Sequence, residues 1–132
     1  MSDSSNPLDW ANYAEEDLIM AKSALKRSKP LTTASCFHSQ QCAEKYLKAI
    51  LIAKDVEFPK THDLPILNTL CNNAGIFTGF IKDDLGRLSG YAVHTRYPGN
   101  QPTPDEAQEA LEIALSVRKF ARSFLGMGNK SQ

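Results

Sequence analysis

Apolar positions recur at helical spacing along almost the whole chain, and no stretch alternates as a half-buried strand does. Ala11, Ala14, Leu18, Ala21 and Leu25 form one stripe, which predicts a first helix from about Pro7 to Arg27. Ser28-Lys29-Pro30 breaks it. A second helix runs from about Leu31 to Lys54. At about 100° per residue, Cys42, Ala43, Tyr46, Leu47, Ala49, Ile50 and Leu51 share one broad apolar arc. An arc that wide predicts a helix packed against several neighbours. Gln40, Gln41, Glu44, Lys45 and Lys48 are expected to form a solvated or dimer-facing polar surface. A connector then leads to a third, short helix over about Leu64–Asn72, capped by Thr61 or Asp63. A fourth covers about Thr78–Thr95, with Ile81, Leu85, Leu88 and Ala92 as its core stripe. The last runs from Pro104 to about Leu125. Thr103-Pro104-Asp105-Glu106 reads as N-cap, proline at the first position and a capping-box glutamate. The expected architecture is all-α: an antiparallel up-and-down bundle of four long helices plus one short helix. It forms one domain over residues 1–132, with 1–6 and 127–132 frayed.

Composition narrows the function more than the fold. Lys plus Arg and Asp plus Glu both number 15, so no global basic field marks the chain as a nucleic-acid binder; local patches stay open. No apolar run is long enough to span a bilayer, and the polar N-terminus carries no secretory pattern. The expected setting is the cytoplasm, without membrane association. Cys36, Cys42 and Cys71 lack zinc-site spacing and are expected to be reduced core residues. His38, His62 and His94 have no paired spacing, so no metal is expected, and no cofactor motif is present. His38 is expected to be a hydrogen-bonded boundary residue. His62 is expected to bond locally within the Thr61–Asp63 turn.

One helix carries the candidate chemistry. Arg87 and His94 are seven residues apart, hence on nearly one face and about 10 Å apart along the axis. Tyr91 lies between them. An arginine can hold a phosphodiester while a histidine moves protons, although a polar helix face holding one Arg and one His accounts for the same residues. Gly86 and Gly90 weaken this helix by about 1 kcal/mol each relative to alanine, which suggests close approach of another backbone or a ligand. Arg96 complements the helix dipole at its C-terminal end, or joins Arg87 in an anion site. Arg96, Tyr97, Tyr91 and Lys45 are the candidate ligand-binding residues. Arg87 and His94 are the candidate catalytic pair.

Three motifs carry a resemblance. They are Gln40-Gln41-x-Ala43-Glu44-Lys45-x-Leu47-Lys48-Ala49, then Thr61-His62-Asp63-Leu64, then Arg96-Tyr97-Pro98 followed by a helix. With them the chain resembles the HEPN family, the higher eukaryotes and prokaryotes nucleotide-binding domain, over nearly its whole length. The resemblance implies a helical bundle, commonly a homodimer, often made beside a minimal nucleotidyltransferase as in toxin–antitoxin pairs. It implies nucleotide or RNA as ligand. In the ribonuclease toxins of the family, an Arg and a His with four to six residues between them act at a dimer cleft without metal, a spacing that Arg87 and His94, with six between, satisfy. Two positions depart from the toxin pattern. Leu88 follows the Arg where a polar residue is usual, and Arg96 stands two after the His where Tyr is frequent. The reading that follows is a dimeric binding module for nucleotide or RNA phosphates. Its alternatives are a metal-independent endoribonuclease toxin and a non-catalytic helical scaffold.

Overall fold

The computed structural model describes residues 5–92 and 99–128. They form an all-α bundle of five helices: α1 (Pro7–Lys26), α2 (Thr32–Ala53), α3 (Leu64–Asn73), α4 (Lys82–Ser89) and α5 (Pro104–Phe124). Three are long, with 20, 22 and 21 residues. The other two have 10 and 8.

Local chemistry sets the ends. The Asn6 side chain accepts from the Leu8 N–H at 2.9 Å, and Pro7 opens α1 where its missing N–H costs nothing. Asp63 caps α3 by accepting from the Ile66 N–H. At α5 both halves of the capping box form: Thr103 Oγ1 accepts from the Glu106 N–H at 3.1 Å, and Glu106 Oε1 accepts from the Thr103 N–H at 2.8 Å.

The central helix is α2, which packs against α1, α3, α4 and α5. The α1 stripe facing it is small, with Ala11, Ala14 and Ala21 fully buried, so the two backbones lie close. Ser35 Oγ donates to the Ala21 carbonyl across that contact at 2.8 Å. Tyr46, Leu47, Ile50 and Leu51 of α2 meet Leu64 and Leu67 of α3, Leu85 and Leu88 of α4 and Val117 of α5 in the core. All three cysteines are buried and none is in a disulfide. Burial pushes the Cys71 thiol up to about 11 and the Cys42 thiol higher still, burial acting first and the Glu15 and Asp17 charges adding to it.

Helix α4 departs from expectation. It starts at Lys82 rather than Thr78, because Gly79 sits at φ +76°, outside the right-handed helical region. Ile81 is therefore the N-cap residue and 64% exposed, not a core residue. After Ser89 the chain tightens into a 3-10 turn, Gly90–Ala92. The close approach expected at Gly86 is also not found among the described residues: a Cβ there would meet none of their atoms within 4 Å.

The polar side of α2 departs too. Gln40, Glu44 and Lys48 are buried rather than solvated. They are spaced four residues apart, so they line up along one edge of the helix, and neighbouring elements close over that edge.

Candidate functional site

The α4 helix and its 3-10 turn lead into the segment that carries His94, Arg96 and Tyr97. Those three residues lie outside the described residues. Of the other candidates, Arg87 lies on α4 with its side chain half exposed. Its Nη2 donates to Asp84 Oδ1 at 2.6 Å and its Nε to Glu109 Oε1 at 3.3 Å. The hydrogen bond to Asp84 and the charge of Glu109 raise the guanidinium pKa further. A phosphate approaching Arg87 must therefore compete with two carboxylates. Tyr91 is partly buried against the core. Lys45 is engaged elsewhere: its Nζ donates to Asp17 Oδ2 at 2.6 Å, and His38 Nδ1 bonds the other Asp17 oxygen at 2.8 Å. That pairing makes His38 the hydrogen-bonded boundary residue its position predicts.

Beside the end of α4, the structure opens a surface cleft of about 430 Å3, lined by Lys60, Thr61, His62, Asp63, Ser89 and Gly90. His62 dominates its chemistry. Rather than bonding within its own turn, the ring reaches α2, where Nδ1 bonds Glu44 Oε1 at 2.8 Å. The Glu44 side chain is 5% exposed and that of His62 57%. Glu44 also accepts from Lys48 Nζ at 2.9 Å and Gln40 Nε2 at 3.2 Å. Lys48 Nζ in turn lies 5.6 Å from the ring centroids of both Trp10 and Phe58, whose π faces favour a cation. The His62 backbone is held as well. Its carbonyl accepts from Gln40 Nε2 at 3.0 Å and from Ser89 Oγ at 2.9 Å, and Ser89 Oγ accepts from the Leu64 N–H at 3.0 Å. Periodicity puts Glu44 and Lys48 on a solvated or dimer-facing surface because their partners come from distant segments. The one signal in the sequence is the four-residue spacing of Gln40, Glu44 and Lys48 ahead of a His-Asp turn.

A second polar cluster is structural. Arg118 of α5 grips Glu15 of α1 with both ends of its fork, Nε to Oε2 at 2.7 Å and Nη2 to Oε1 at 3.0 Å. Tyr46 of α2 donates its hydroxyl to Glu15. Arg122 Nη1 donates to the Tyr46 oxygen at 3.1 Å, and Arg122 Nε donates to the Gly128 carbonyl. Burial works to raise the Glu15 pKa, but hydrogen bonds from Arg118 and Tyr46 and the charges of Arg118 and Arg122 outweigh it, and the carboxyl is held below its ordinary value. No set of three His, Cys, Asp or Glu side chains among the described residues is grouped to hold a metal. No helix among them is long and apolar enough to cross a membrane.

An all-α bundle with a polar cleft at the end of its fourth helix is the setting in which family membership becomes informative. Residues 8–124 match the HEPN domain, and the chain belongs to that family. A protein of Methanocaldococcus jannaschii named "Putative toxin MJ1304" is 30% identical over 133 aligned positions, which cover 85% of this chain and 83% of the relative. No solved structure matches the chain significantly.

Proposed function

We propose that this HEPN protein binds RNA or nucleotide phosphates and acts as one half of a toxin–antitoxin pair, with a minimal nucleotidyltransferase as its partner. The observation that carries the reading is an open, imidazole-lined cleft at the end of α4 in a chain that matches the HEPN domain over residues 8–124. The similarity to the Methanocaldococcus jannaschii protein named "Putative toxin MJ1304" supports the biological role. Arg87 and Arg96 supply guanidiniums that fork onto phosphate oxygens, with Arg87 exchanging Asp84 and Glu109 for the ligand. Phe77, Ile81 and Phe124 remain exposed, and these apolar side chains support a homodimer. Fluorescence anisotropy with a labelled oligoribonucleotide tests the binding. Arg87→Ala and Arg96→Ala weaken it, and the loss shrinks as salt rises. Unchanged affinity in both variants defeats the reading.

A second reading, metal-independent RNA cleavage by Arg87 and His94, is favoured by the anchored imidazole in the cleft wall. Induced wild type then arrests growth and His94→Ala does not. RNA decay that proceeds undiminished with folded His94→Ala, or that stops on adding EDTA, defeats it.

A further inference from the structure

The way His62 is held asks for an explanation beyond stability. Burying a carboxylate, an ammonium and a carboxamide is costly, and even a well-made buried ion pair often adds little net stability. Here Glu44, Lys48 and Gln40 are all buried. Together with Ser89 they fix a residue whose ring is more than half exposed. If the purpose were only to tie the turn before α3 to α2 and α4, the Gln40 and Ser89 bonds to the His62 carbonyl would serve, and any side chain at 62 would do.

The ring bond decides what the imidazole can do. A carboxylate oxygen accepts, so in the 2.8 Å bond to Glu44 the hydrogen sits on Nδ1 and the neutral ring keeps its free electron pair on Nε2. No described residue bonds Nε2. The ring is exposed and lines the cleft. A base within reach of solvent, oriented from behind by a fixed carboxylate, is the arrangement of a general base and its orienting partner. Its surroundings are mixed in charge. Lys60 and Asp63 share the cleft wall, Lys48 stands behind Glu44, and Asp63 is occupied in capping α3. The nearby N–H groups of Asp63, Leu64 and Ile66 already have acceptors. The cleft is thus poor in free backbone donors for an anion and offers instead a positioned proton acceptor.

We propose that His62 is a second proton carrier of this protein, acting on the ribose 2′-hydroxyl of RNA bound in the cleft, with Glu44 as its positioning residue. The proposal rests on the RNA-cleavage reading and adds to it a group from the turn ahead of α3. In the step, Nε2 takes the 2′-hydroxyl proton as O2′ bonds to the adjacent phosphorus. The P–O5′ bond breaks and its electron pair stays on O5′. That oxygen takes a proton from water, and the hydroxide left behind recovers the proton from the imidazolium. The products are a 2′,3′-cyclic phosphate and a 5′-hydroxyl.

The test uses the full chain and a short oligoribonucleotide. Wild type releases fragments ending in cyclic phosphate. His62→Ala lowers kcat by roughly 10²–10⁴, the range for loss of a general base, and added imidazole restores part of the rate, which it would not do for a merely structural residue. Glu44→Gln lowers kcat with little change in KM. Should that buried substitution fail to fold, His62→Ala, at an exposed position, still decides. A third arm needs no turnover: the uncleavable 2′-deoxy oligonucleotide slows modification of His62 by diethyl pyrocarbonate. Cleavage by His62→Ala at the wild-type rate overturns the role of His62 and leaves the cleavage reading standing. Absence of cleavage by wild type overturns both. Cleavage without protection of His62 places the RNA elsewhere and overturns the proposal.

Discussion

Replacing Glu15 by glutamine removes one negative charge and almost no volume. Its consequence follows from the company Glu15 keeps. The side chain is 12% exposed and that of Arg118 is 6% exposed, so the arginine cannot recover in water what it loses. Tyr46 and Arg122 converge on the same carboxylate, Arg122 Nη1 lying 4.0 Å from Oε2. Breaking one side of a buried pair costs about 3–5 kcal/mol, because the surviving charge stays buried and uncompensated. Glu15→Gln should fall at the low end, about 3 kcal/mol, since the amide oxygen still accepts one bond. At an unfolding entropy of about 2.1 cal/mol/K per residue, 132 residues convert this to a fall in Tm of about 10 °C. The pH dependence has a definite sign. The folded-state pKa of Glu15 is depressed. Its contribution is therefore complete above the unfolded value of 4.5 and is lost as pH falls from there through the folded value. Urea melts followed by circular dichroism should show wild type losing this increment on acidification while Glu15→Gln has already lost it. A variant within 1 kcal/mol of wild type at pH 7 refutes the reasoning.

Other substitutions separate neighbouring roles. Leu85→Ala should cost about 2–5 kcal/mol, because Leu85 is wholly buried in the α4 contact. Ile81→Ala, four residues earlier, exposed and at an N-cap position that makes no side-chain bond, should stay within about 0.5 kcal/mol in the same melts; a large loss would return Ile81 to the core. Thr103→Ala should cost about 1 kcal/mol by opening the capping box of α5. The thiols should ignore Ellman's reagent at pH 8 until denaturant is added, since burial keeps Cys42 and Cys71 protonated. Rapid reaction of even one thiol in the native protein contradicts this.

Much of the fold is legible in the chain because its signals are local. Asn6-Pro7, Asp63 and Thr103-Pro104-Asp105-Glu106 mark helix starts through bonds within three residues. The apolar arc of α2 marks its core face. What escapes is whatever depends on distant partners or on a single backbone angle. The stripe from Ile81 to Ala92 has flawless helical spacing, yet Gly79 in the left-handed region delays the helix and the 3-10 turn ends it early. Glu44 and Lys48 have the spacing of a solvated pair worth a few tenths of a kcal/mol. Trp10, Phe58 and His62 convert them into a buried one. His62 looks local because Thr61 and Asp63 flank it, and only the packing of the turn onto α2 gives it Glu44. At the candidate site, Arg87 is legible as a helix-face cation, whereas its engagement with Glu109 on α5 is not.

The chain holds a single tryptophan, and its position makes it a built-in optical reporter. The Trp10 indole stands edge-on to Phe58 and faces the Lys48 ammonium, which is bonded to Glu44, which is bonded to His62. Anything that enters the cleft and pulls on the imidazole changes the field that this one fluorophore feels. Emission from unlabelled protein can therefore be titrated directly, without a dye or a tag near the site. Because the link between the ammonium and the imidazole is a carboxylate, Glu44→Gln supplies the matching control: a ligand that reaches the tryptophan through this route should lose its signal in that variant while still binding.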